Sequence, residues 1–138
     1  MYRHIGVPVD LAHRDLLDKA LDTACALTST FGARMTLFAV AGPAPGGAAH
    51  SPRELAEKLD ALAVTLAGRS GQVVTTRVEV VGDPVADLDR ALNRLFHELE
   101  VDLVIMASHI PGIRDYVFHS NAGFLASHTD LSVFVVRD

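Results

Sequence analysis

The sequence predicts an α/β fold in which five strands alternate with four helices. Three observations carry this. Leucines and alanines recur at helical spacing in long segments. Short β-branched or wholly apolar runs separate those segments, bounded by Gly and Pro. One of these runs, Leu103 to Ala107, is apolar without a break, as expected of a central parallel strand buried on both faces. The connections suit right-handed parallel crossovers.

In chain order, Ile5 to Val9 reads as the first strand. Leu16, Leu17, Ala20, Leu21, Ala24, Leu27 and Phe31 then form an apolar helical stripe that Gly32 ends. Met35 to Ala41 is the second strand. Gly42 to His50, rich in Gly and Pro, is a loop. Ser51, Pro52 and Glu54 form a helix start: a cap, a residue suited to the first turn and the partner of a capping box. The stripe Leu55, Leu59, Leu62, Ala63, Leu66 runs to Gly68. Val73 to Val81 alternates and reads as a strand with one wet face. Asp83 can cap, and Pro84 can open, a helix that carries Leu88, Ala91, Leu92, Leu95 and Leu99. After Leu103 to Ala107, a short helix is expected from about Ser120 to His128, and Leu131 to Val136 is the last strand. No linker or internal repeat divides the chain, so residues 1–138 are expected to form one domain.

Composition narrows the partners. The formal net charge is −5 and no basic run offsets it, which argues against nucleic acid or an anionic membrane as partner. The N-terminal apolar run is broken by Pro8 and Asp10 and reads as neither a signal peptide nor a membrane span. The single cysteine, Cys25, suits a reducing compartment, and a cytoplasmic location is expected. Its neighbours Ala24, Ala26 and Leu27 make it a packing residue rather than a reactive thiol.

In open parallel sheets ligands bind beyond the carboxyl ends of the strands, where strand order reverses. The segments that end there are Pro8 to Leu11, Val40 to Gly42, Val81 to Pro84, and Ala107 onward. Asp10 has two readings of equal standing: an acceptor for ribose hydroxyls, or the cap of the first helix. Ser120 and Asn121 open the last expected helix, where backbone N–H groups and the Ser120 hydroxyl could hold a phosphate; an ordinary N-cap explains them too. His109, His119 and His128 are the tempting metal set, but no Cys-x-x-Cys or His-Glu-x-x-His spacing supports a site. His4, His13, His50 and His97 read as surface or strand-end residues. There is no Gly-x-Ser-x-Gly elbow, so nucleophilic catalysis is not expected.

Taken together, Val7-Pro8-Val9-Asp10, Val81-Gly82-Asp83-Pro84, the run Val101 to His109 and the ending Leu131 to Arg137 resemble the universal stress protein family over nearly the whole chain. The segment Ala107-Ser108-His109, followed by Tyr116 to Ala122, resembles a branch of small bacterial members with the loop Ala-Ser-His-x-Pro…Tyr-Leu-Leu-Gly-Ser-Asn-Ala. The resemblance implies a three-layer α/β/α sandwich around a five-stranded parallel sheet, Rossmann-like and of the adenine nucleotide alpha hydrolase-like type. It also implies a stress-response regulatory module, not an enzyme, that binds ATP or AMP, with magnesium only alongside ATP.

Carried over residue by residue, Asp10 meets adenine and ribose with Pro8 and Val9 beside it, and Val40 lines the adenine pocket. The phosphate side would comprise Met106, Ala107, His109, Ile110, His119, Ser120 and Asn121, with Arg114 as a candidate partner. The family's loop runs Gly-x-x-Gly, about nine residues, then Gly-Ser/Thr. Here Ala107, Ile110 and His119 stand where those glycines are expected, and only Gly112 lies between the strand and Ser120. A β-branched Ile110 resists the positive φ and close backbone approach that glycine permits. His119 either fills the phosphate space or, protonated near the ordinary imidazole pKa of ~6.5, attracts a phosphate. A His119→Gly substitution discriminates the two. The resemblance further implies a homodimer through the C-terminal strand 131–137, whose apolar edge invites pairing. The alternative reading is a dimeric interaction module of the same fold, with a degenerate nucleotide site and an unidentified protein partner.

Overall fold

A central strand made of a histidine, a glycine and apolar residues organises the molecule. The structure, a computed structural model, describes residues 1–42, 51–83, 86–107 and 131–137. Strand β1 (His4–Pro8) is buried along its whole length. It lies between β2 (Arg34–Ala41) and β4 (Leu103–Ala107), with β3 (Val74–Val80) and β5 (Ser132–Val136) at the two edges. All four pairings are parallel, and the order is β3-β2-β1-β4-β5. The expected five-stranded parallel sheet is therefore present. Strand order reverses between β1 and β4.

The described helices are α1 (Asp18–Phe31), α2 (Pro52–Ser70) and α3 (Leu88–Glu98), with a 3₁₀ stretch (Leu11–Leu17) leading into α1. Gly32 ends α1 in the left-handed conformation at φ 61°, as its position predicted. Ser51 caps α2 by accepting the Glu54 N–H at 3.2 Å. Two expected boundaries shift. Helix α2 passes through Gly68 and ends at Gly71, whose φ of 68° makes it the residue that needs a glycine. Helix α3 begins at Leu88 rather than just after Asp83. The Asp83 side chain still takes the Ala86 N–H at 3.2 Å, so it ties the turn before the helix instead of its first turn. Pro84, the loop 43–50, the expected helix 120–128 and Asp138 lie outside the described residues.

The core fills both sides of the sheet. Ile5, Leu17, Leu21, Met35, Leu37, Leu59, Leu66, Leu95 and Ile105 are buried completely or nearly so, together with the edge-to-face pair Phe38 and Phe96 at 5.1 Å. Gly6 makes that pair fit. A Cβ at this position would stand 3.0 Å from Val101 Cγ1 and 3.2 Å from Phe38 Cε2. Strand β3 shows the expected alternation in a particular form. Thr75, Arg77 and Glu79 share one face, where Arg77 pairs with Glu98 and Glu79 with Arg94 of α3. Val74 and Val78, on the other, pack against the core.

At the lower end of the sheet, Asp102 ties the strand starts together. Its carboxylate accepts the N–H groups of Arg3 and His4 at 2.9 and 3.0 Å, its own N–H donates to the His4 carbonyl, and its carbonyl accepts the Ser132 N–H. His4 does begin a strand, but it is buried rather than on the surface, because both ring nitrogens find partners inside the protein.

Candidate functional site

The ends of three neighbouring strands meet where strand order reverses. Strands β1 and β2 run in register from His4–Arg34 to Pro8–Phe38, and Val9 N–H extends the pairing to the Phe38 carbonyl at 2.7 Å. Continuing that register sets Asp10 level with Val40. On the other side β1 pairs with β4 at Ile5–Leu103 and Gly6–Val104, which sets Val9 level with Ala107. Pro8 has no N–H and cannot donate to a ladder at this point. Alternation along the strands places Val40 and Met106 on the sheet face that carries Phe38 and Gly6. Pro8, Val9, Met106 and Ala107 are buried and Val40 is partly exposed.

Among the described residues, Asp10 brings a carboxylate to the end of β1. It caps the 3₁₀ stretch, accepting the Ala12 N–H on Oδ1 at 3.0 Å. The cap is therefore realised. It does not exhaust the carboxylate, because each oxygen offers two lone pairs and 31% of the side chain remains exposed.

Sequence reading missed His13. Its Nδ1 lies 2.9 Å from Asp10 Oδ2, and its backbone N–H donates to the Asp10 carbonyl oxygen at 3.1 Å. The signal was present as an Asp-x-x-His spacing at a helix start, where a 3₁₀ turn eclipses residues three apart. Arg14, next along the chain, is held by Asp18.

The structure thus brings together Pro8, Val9, Asp10, Val40, Met106 and Ala107. His109, Ile110, His119, Ser120, Asn121 and Arg114 lie outside the described residues. Among the described residues no group of three His, Cys, Asp or Glu side chains is placed to hold a metal, and no helix is long and apolar enough to cross a membrane. Cys25 is buried against α2, and burial pushes its thiol pKa up despite the opposing charge of Arg69. That is the environment of an inert packing cysteine.

A sequence model of the universal stress protein family matches residues 1–137. The chain belongs to the universal stress protein family. Among its relatives, Universal stress protein G of Shigella flexneri is 29% identical over 146 residues, covering 99% of this chain and 100% of that one. Two solved structures show the same fold. A family protein from Arabidopsis thaliana with AMP bound superposes with a TM-score of 0.63 at 13% identity, covering 98% of this chain and 91% of that one. The universal stress protein of Archaeoglobus fulgidus in complex with dAMP gives a TM-score of 0.59 at 19% identity, covering 97% of each chain. The Rossmann-like α/β architecture expected from the sequence is thus the architecture of this family.

Proposed function

We propose that this universal stress protein is a regulatory module that binds an adenine nucleotide, ATP or AMP, in the crevice where strand order reverses. The observation that carries this reading is the Asp10 carboxylate. It stands at the end of β1, level with Val40, with one protein donor on each oxygen and acceptor capacity to spare. Ribose hydroxyls are the donors such a group receives in folds of this type. Pro8, Val9 and Val40 supply apolar surface for the base, and Met106 and Ala107 begin the phosphate side. His109, Ile110, His119, Ser120 and Asn121 complete the proposed phosphate side on sequence grounds, with magnesium entering only with ATP. The AMP and dAMP of the two structural relatives support the adenine base of the ligand and leave its sugar open.

The module acts by binding rather than turnover, as a cytoplasmic protein of one domain that works as a homodimer through residues 131–137. Support for the dimer comes from β5. It lies at the sheet edge and exposes Phe134 by 46%, and an apolar edge of this kind recruits another strand.

Calorimetric titration with ATP and with AMP, in magnesium, at pH 6 and pH 8, tests the reading. Micromolar binding that weakens about tenfold or more in Asp10→Ala, the loss expected when a charged hydrogen-bond acceptor is removed, supports it. No binding at either pH rejects it and leaves the dimeric interaction module.

A further inference from the structure

Asp10 and His13 are linked twice, through the backbone at 3.1 Å and through the side chains at 2.9 Å. His13 also breaks the regular 3₁₀ backbone, with φ −123° and ψ 43°. A carboxylate only accepts hydrogen bonds, so the ring donates from Nδ1. Ala12 N–H occupies one lone pair of Oδ1, and His13 occupies one of Oδ2. With a donor on each oxygen, rotation of the carboxylate plane breaks a bond in either direction. With Ala12 alone, only one oxygen is anchored and the plane can turn about it. Arg14 offers no substitute, because it pairs with Asp18. The two lone pairs left over, one per oxygen, then keep a fixed arrangement on a side chain that is 31% exposed. Two vicinal hydroxyls require such a pair of acceptors, whereas a single hydroxyl needs only one.

We propose that His13 is a positioning residue that fixes the plane of the Asp10 carboxylate, so that the site selects ribonucleotides, with both the 2′ and 3′ hydroxyls, over deoxyribonucleotides. This rests on the nucleotide reading above and specifies which sugar that site takes.

The test compares wild type, His13→Phe and His13→Asn in calorimetric titrations with ATP and with 2′-deoxy-ATP. Phe keeps a planar ring without the N–H, and Asn places an amide N–H where the imidazole Nδ1–H stood. His13→Ala repeats the comparison without a ring should His13→Phe fold poorly. Wild type is expected to prefer ATP. His13→Phe is expected to cut that preference about tenfold, the worth of one charge-assisted hydrogen bond, with deoxy-ATP affinity held within about twofold. His13→Asn is expected to restore most of it. Equal weakening of both nucleotides in His13→Phe marks a merely structural residue and overturns the proposal. So does an unchanged preference, or a wild type that binds both nucleotides equally. A wild type that binds neither overturns the nucleotide reading itself, and this inference with it.

Discussion

His4 Nε2 lies 2.7 Å from Thr36 Oγ1 inside the core, and His4 Nδ1 lies 2.8 Å from the Leu99 carbonyl oxygen. The carbonyl can only accept, so Nδ1 carries a proton and, in the neutral ring, Nε2 receives the Thr36 hydroxyl. Thr36 Oγ1 meets Thr75 Oγ1 at 2.7 Å, which extends the chain of bonds from β1 across β2 to β3. Burial pushes the His4 pKa below its ordinary value of 6.5. Arg34 pushes the same way, while the Leu99 hydrogen bond and Asp102 oppose it.

A lowered folded-state pKa means that the unfolded chain binds the proton more readily. Stability from this group is thus complete above pH 6.5 and is lost as pH falls from there through the folded-state pKa. The urea midpoint of wild type is expected to drop between pH 7.5 and pH 5, and His4→Gln is expected to drop less. Equal losses in the two proteins would remove His4 as the source.

Gly6→Ala is expected to destabilise the fold although alanine is a better strand residue. The added methyl would stand 3.0 Å from Val101 and 3.2 Å from the Phe38 ring, in a core that Phe96 closes from α3. Overpacking of this kind costs about 1–3 kcal/mol. Denaturant titration reads it directly, and an unchanged midpoint would mean that α3 yields at no cost.

Asp10 has two roles that substitution can separate. Asp10→Ala removes the cap over Ala12 and is expected to cost about 1 kcal/mol. Asp10→Asn keeps a capping oxygen and is expected to cost much less by the same unfolding measurement. Both remove the carboxylate and are expected to weaken nucleotide binding. An Asn variant as unstable as the Ala variant would place the stabilisation in the charge paired with His13, not in the cap.

Phe134→Glu addresses the edge of the sheet. Phe134 is exposed on β5, while Val136 of the same strand is buried in the core. The substitution therefore alters the edge with little effect on the core. Sedimentation is expected to show a dimer for wild type and a monomer for the variant. A monomeric wild type would rule out the proposed pairing.

What could be read from the chain followed how local each signal is. Leu103–Ala107 was placed to the residue, because an unbroken apolar run flanked by polar ones has one reading. Gly32 was equally legible as a helix stop. Gly68 was not, because an exposed glycine is tolerated within a helix and only the φ of Gly71 shows where the turn reverses. His4 was legible as a strand end, but not its burial, because its partners, Thr36 and Leu99, are distant in sequence and meet it only in the folded sheet. At the site, Asp10 was legible from its place after a strand, but its pairing with His13 depends on the turn being 3₁₀. Apolar periodicity does not report that choice.

The central place of β1 has a consequence for synthesis. Strand β1 leaves the ribosome before its partners and gains one neighbour when β2 follows, at residues 34–41, but its other flank and the Asp102 clamp on Arg3 and His4 arrive only with residues 102–107. Until then its open side is an apolar template for any extended segment nearby. Growing at ~5–20 residues per second, the chain spends several seconds in that half-closed condition. Any other unfolded chain nearby would compete with β4 for that edge.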